Sequence, residues 1–91
     1  MEYDAFPAGD LIRQGIQDIK EGVESTEALL VAIGRPHLLR LGLSVPELPF
    51  RSPEVRLYEY ISRTDPDSAH SRYNALIRRL VSFERAVECA G

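Results

Sequence analysis

The sequence predicts an all-α protein, a compact bundle of four to five helices with a long C-terminal helix. Two observations support this class: apolar residues recur at three- and four-residue spacings, and capping residues, glycine or proline bound each such segment. The length of 91 residues fits a single domain spanning residues 1–91. Because a chain of this size buries only about 60–65% of its unfolded surface, its core is thin and a partner subunit would stabilise it.

Residues 10–21 predict an amphipathic first helix, preceded by a flexible N-terminus over residues 1–9. The apolar residues of this helix share one stripe at about 100° per residue, and Gly22 ends the segment. Gly15 lies within the stripe, where two interpretations remain open. Either the missing side chain lets another backbone approach closely, or the glycine is tolerated at a cost of about 1 kcal/mol.

Two short helices are predicted to follow. A cap at Ser25 or Thr26 starts the first, which runs through Ile33 and is apolar on all sides, so we expect it to be central and buried. Pro36 suits the first helical position of the second of these short helices. Gly34 between them also permits a helix-turn-helix, although the second helix is too short and too apolar to read a DNA groove.

A proline-rich strap over residues 43–53 separates these helices from the rest of the chain. Its three prolines exclude a continuous helix. Residues 46–49 match the PxxP spacing that aromatic-lined grooves bind, but packing of the strap over a small core is the favoured interpretation. Another helix then starts at residues 52–54, which are a capping residue, a proline and an acid. This helix extends to about Arg63.

The last segment shows the clearest pattern. Asp65 and Pro66 mark a helix start, and no glycine or proline follows until Gly91. Apolar residues recur there with spacings of four and three over nearly three heptads. Such a seam must be covered by other helices, either of the same chain or of a partner in a dimer. The candidate helix-packing or dimer seam consists of Tyr73, Leu76, Leu80, Phe83 and Val87.

The opposite face of this helix is rich in arginine and carries no acid. A solvated helix usually interleaves both signs, so this face is a candidate contact for an anion or a partner. Residues 1–34 hold seven acids and two bases, which gives them a net charge of −5. The rest of the chain holds nine arginines and seven acids, which gives it a net charge of +2. The N-terminal third of the same or a neighbouring chain is therefore one acidic candidate, and a solvated face without a partner is the alternative. The candidate contact residues are Arg72, Arg78, Arg79 and Arg85.

Residues that carry catalytic or metal chemistry are sparse. His37 and His70 have no His, Cys or acid at metal-ligand spacing, and the sequence contains no glycine-rich phosphate loop. We therefore predict no catalytic, cofactor-binding or metal-binding residues, no cofactor and no enzymatic activity. Cys89 is the only cysteine, so no internal disulfide forms. An acidic N-terminus and the lack of a long apolar run predict a cytoplasmic protein without membrane contact.

The predicted function follows by elimination. A thin core, a heptad seam and the lack of site chemistry favour a non-catalytic protein–protein interaction or accessory module that self-associates through its C-terminal helix. Its partner would be a second copy, in a homodimer, or another protein. The alternative is a small nucleic-acid-binding or regulatory protein that uses the arginine face, which the net charge of −3 disfavours.

Overall fold

The computed structural model describes residues 5–47 and 51–90. These residues contain four helices and no strand, which confirms the all-α class with a long C-terminal helix. None of the described helices is both long enough and apolar enough to span a membrane. In chain order the helices are α1 (Gly9–Lys20), α2 (Thr26–Arg40), α3 (Pro53–Thr64) and α4 (Ala69–Ala90).

α2 is the central helix, and residues 28–32 near its start are buried on every side. Residues 28–31 have no exposed surface, and Leu38 near the other end is also fully buried. α1, α3 and α4 all pack against α2. Because α2 is apolar all round, only neighbours on several sides can remove its side chains from water. The expectation of a buried central helix in this region is therefore met.

α2 replaces the two short helices predicted for this region. It continues through Gly34 and Pro36 without a break, so the predicted turn between the helices is wrong and the helix-turn-helix alternative does not apply. A proline inside a helix removes one backbone hydrogen bond and costs about 3 kcal/mol. The physical reason for the difference is packing, because Gly34 and Leu38 are both buried and a turn between them would disrupt their contacts.

Gly15 lies where α1 approaches α2 most closely. A Cβ atom at this position would lie 2.5 Å from Val31 Cγ2 and would overlap the backbone carbonyl group of Glu27. The carbonyl belongs to the backbone of α2 and cannot move aside. Of the two interpretations of this glycine, the close backbone approach is the one observed.

A buried carboxylate fixes the turn between α1 and α2. Asp18 accepts hydrogen bonds from Gln14 Nε2 at 2.9 Å and from Ser25 Oγ at 2.6 Å. Ser25 Oγ accepts a hydrogen bond from Ala28 N at 3.0 Å, so Ser25 is the N-cap of α2. The cap of one helix is thereby tied to a side chain of the preceding one.

The N-terminal segment reaches the core before α1 begins. Of residues 1–9, which the sequence predicts to be flexible, residues 1–4 lie outside the described residues. Residues 5–8 form turns that lead into α1. The ring of Phe6 lies edge-on to Phe83 of α4, with the ring centroids 6.2 Å apart.

The proline-rich strap is attached to the end of α2. Of residues 43–53, residues 48–50 lie outside the described part of the chain. Arg35 Nε donates to the carbonyl oxygens of Val45 and Pro46, at 3.3 and 3.1 Å. Val45 is buried in the hydrophobic core, so the first part of the strap packs over the bundle.

α4 begins three residues after the predicted start at Pro66. Asp65 Oδ1 accepts a hydrogen bond from Ser68 N at 3.3 Å, which closes a tight turn rather than the first turn of the helix. Arg72 N then donates to the carbonyl oxygen of Ser68 at 2.9 Å, and the helix starts at Ala69. The capping signal at Asp65 is present, but it caps the turn between α3 and α4.

Replacing Gly15 with alanine should lower the free energy of unfolding by about 1–2 kcal/mol, although alanine normally stabilises a helix relative to glycine. The added methyl group has no room between α1 and the backbone of α2. Gly34→Ala is the matched control: its Cβ would lie 2.9 Å from Leu80 Cδ1, at the end of a flexible side chain, so a smaller loss is expected. Urea unfolding followed by circular dichroism measures both, and a Gly15→Ala variant as stable as the wild type would contradict the close contact.

Candidate functional site

The centre of the outward face of α4 carries Arg78 and Arg85, which we call the outward arginines. They lie seven residues apart, or about two helical turns, and both are exposed. Neither has an acidic partner among the residues that the structure describes. Val81 lies beside them on the same face and is 36% exposed. Because a guanidinium group is weakly hydrated and binds carboxylates through a planar fork, this surface is suited to contact with a partner.

The other two candidate arginines lie on a different side of α4. Arg72 and Arg79, the groove arginines, line a surface groove of about 380 Å³. Arg72 Nη1 lies 3.4 Å from Asp65 Oδ2, an exposed ion pair that contributes at most about 1 kcal/mol. Arg79 is exposed and has no acidic partner in the described part of the chain. The structure therefore places Arg72 and Arg79 on this groove, while Arg78 and Arg79 together line a second surface cavity of about 310 Å³.

The heptad seam faces the core of its own chain. Leu80, Phe83 and Val87 are buried in the core together with residues of α1, α2 and α3. Tyr73 and Leu76 are half-buried and pack against the same core. The inner part of the seam is thus covered within one subunit.

An apolar strip remains exposed beside the seam, where α3 meets α4. Val55 is 55% exposed and Tyr58 is 40% exposed. The rings of Tyr58 and Tyr73 meet edge-on, with their centroids 5.8 Å apart. Ile77 and Val81 follow Tyr73 at four-residue intervals and therefore continue along the same side of α4. We call these five residues the outer strip.

The two ends of the outer strip differ in charge. Glu54 and Glu59 line a surface cavity of about 430 Å³ together with Val55, Tyr58 and Tyr73. Burial raises the pKa of the Tyr73 hydroxyl, and the charge of Glu54 raises it further. Arg85 lies beyond Val81 at the other end, together with Glu88, whose side chain is 52% exposed. One end of the strip is therefore acidic, and the other carries charges of both signs.

The structure also brings together three titratable side chains that the sequence does not connect. His37, in the last turn of α2, has Nδ1 3.2 Å from Glu84 Oε2 and Nε2 2.9 Å from Glu88 Oε1. Glu84 is only 7% exposed, and this burial raises the pKa of its carboxyl group although His37 opposes the shift. His37 and Glu88 are 51 residues apart in sequence, so no local pattern links them. The single sequence signal is the four-residue spacing of the two acids at the border of the apolar seam.

The His37 cluster joins the end of α2 to α4. Glu84 Oε2 lies over Gly34, where an added Cβ would be 3.4 Å away, so the small residue leaves room for the carboxylate. Over residues 5–47 and 51–90, no group of three or more His, Cys, Asp or Glu side chains is arranged to hold a metal ion. The cluster acts as a polar link between two helices.

No family model, curated protein or solved structure matches this chain. The features from which a function can be inferred are therefore the outer strip, the outward arginines and the groove. All three lie on or beside α4.

Replacing Glu84 with glutamine should raise the free energy of unfolding near neutral pH. Because burial raises the pKa of Glu84, the folded chain binds a proton more tightly than the unfolded chain, and the contribution of this group to stability falls as pH rises through the folded pKa. The stability difference between Glu84→Gln and the wild type should be small in acid and grow toward neutral pH, by no more than about 1.4 kcal/mol per pH unit.

Urea unfolding of both proteins at a series of pH values from acid to neutral measures this stability difference. Glu88→Gln is the matched control, since the side chain of Glu88 is 52% exposed and contacts the same histidine. A difference for Glu84→Gln that shrinks toward neutral pH would contradict the raised pKa.

Proposed function

We propose that this protein is a cytoplasmic, non-catalytic interaction module that forms a homodimer through the outer side of α4. The observation that carries the proposal is the outer strip, a partly exposed apolar surface with an acidic end. Contiguous exposed apolar patches commonly mark interfaces. Cys89 is an exposed free thiol, which is compatible with a reducing compartment.

Two copies of the outer strip match each other when their α4 helices are antiparallel. Tyr73, Ile77 and Val81 are equally spaced, so a two-fold axis near Ile77 places Tyr73 of each subunit opposite Val81 of the other. A two-fold interface of this kind is closed, because the same patch is used once on each subunit. The assembly therefore stops at a dimer.

Electrostatics favours the same arrangement. Antiparallel helices keep Glu54 and Glu59 of the two subunits at opposite ends of the interface, whereas parallel helices would bring these like charges together. A charge arrangement of this kind sets orientation more than affinity. The apolar side chains of the outer strip supply most of the binding free energy.

Apart from Tyr73, the heptad seam takes no part in this dimer. Its inner side chains lie in the core, and a dimer built on them would require the bundle to open and expose Phe83. The outer strip offers a contact on the same helix without any unfolding. Because the strip is narrow, we expect a weak dimer, as small interfaces are typical of transient complexes.

Nucleic-acid binding through Arg78, Arg79 and Arg85 is the second candidate. Their exposure, and the lack of an acidic partner among the described residues, favours it. The net charge of −3 opposes it. Salt separates the two candidates, since phosphate contacts weaken steeply between about 50 and 200 mM salt and an apolar interface weakens little.

Val81→Glu should raise the dissociation constant of the dimer at least about tenfold, because it buries a carboxylate among apolar side chains at the interface. Val23→Glu is the matched control. Val23 is 47% exposed in the turn between α1 and α2, and its neighbour Glu24 pairs with Arg56. Arg56 precedes Tyr58 by two residues, so it faces a different side of α3 from Tyr58. Val23, whose neighbour contacts Arg56, therefore lies away from the outer strip.

Light scattering over a dilution series, at low and at high salt, measures the mass of each variant. A wild-type monomer at every concentration, or equal dissociation of the two variants, would rule out the dimer. A monomer that retains an unspecific DNA duplex at low salt, and loses it in Arg78→Glu, would favour the second candidate.

A further inference from the structure

The groove beside α4 is built by all four helices. Its lining includes Leu11 of α1, Thr26 and Glu27 in the first turn of α2, Ile61 of α3, and Arg72, Leu76 and Arg79 of α4. Its volume of about 380 Å³ falls in the usual range for small-molecule sites. Arg79 and Val81 are two residues apart, about 200° around the helix, so the groove and the outer strip lie on opposite sides of α4.

The groove arginines give one wall a positive charge. Arg72 and Arg79 are separated by about two helical turns on the same side of α4, so their long side chains can reach a common group between them. Arg79 has no acidic partner among the described residues, and the pair between Arg72 and Asp65 is exposed and readily exchanged. Both guanidinium groups are therefore available to an anion, and their planar forks match a carboxylate.

The rest of the groove determines what else the ligand must contain. Leu11 and Leu76 are half-buried and supply apolar surface, which favours a ligand with an apolar body. Glu27 lines the same groove and repels a second negative charge. The hydroxyl of Thr26 adds a hydrogen-bond donor.

We propose that this groove binds a small organic monoanion, a carboxylate with an apolar body. Its carboxylate lies between Arg72 and Arg79, and its body packs on Leu11 and Leu76. Glu27 makes the site selective for a ligand with one negative charge over a ligand with two. This inference is independent of the proposed dimer, since it uses neither the outer strip nor the outward arginines.

The probes that test it are phenylacetate, phenyl phosphate and 2-phenylethanol, which share an aromatic body and differ in charge. Resonances of Thr26, Leu76 and the arginine Nε groups are followed by NMR at constant ionic strength. Phenylacetate should bind saturably, with a dissociation constant of about 1 mM for so small a ligand. Phenyl phosphate, a dianion at pH 7.5, and 2-phenylethanol should bind at least about tenfold more weakly.

Two variants separate this site from unspecific attraction of anions. Arg79→Gln should weaken phenylacetate binding about tenfold, whereas Arg85→Gln, an equal charge change on the outward face, should leave it unchanged. Glu27→Gln should tighten phenylacetate binding and bring phenyl phosphate close to the same affinity. Equal weakening by Arg79→Gln and Arg85→Gln, absence of saturation, or equal binding of 2-phenylethanol would each overturn the inference.

Discussion

The burial of α2 is the constraint on which the rest of the structure depends. Its apolar residues surround the helix, so it is removed from water only when α1, α3 and α4 pack around it. Gly15 and Gly34 permit the close approach of α1 and of Leu80 on α4. The continuation of α2 through Pro36, despite a cost of about 3 kcal/mol, shows that this burial outweighs a strong local preference.

Paired polar groups hold both ends of this buried helix. At its start, Ser25 caps α2 and donates to the buried carboxylate of Asp18 on α1. At its other end, His37 contacts the buried carboxylate of Glu84 on α4. A buried carboxylate without a partner would destabilise the fold by several kcal/mol. These directional contacts fix the register of α2 against its neighbours, which non-directional apolar packing does not fix.

The apolar seam of α4 covers α2. The remainder of α4 is left for contact with other molecules. The outer strip lies on one side of α4 and the groove lies on the other, with the outward arginines between them. One long helix thereby supplies both the core of a small bundle and two separate candidate contact surfaces. The two surfaces differ in chemistry: the strip is apolar with charged ends, and the groove combines Arg72 and Arg79 with a small apolar surface.

The sequence by itself determined the helical class, the bounds of α1 and α3 to within one residue, and the division of α4 into an apolar and an arginine-rich face. Caps, prolines and apolar periodicity act over a few residues, so they can be recognised locally. The tertiary structure alone decided that α2 continues through Pro36, that Arg72 and Arg79 line a groove built by all four helices, and that His37 meets Glu84. Each of these depends on contacts between residues far apart in the chain, where the free energy of packing overrides or supplements local propensity.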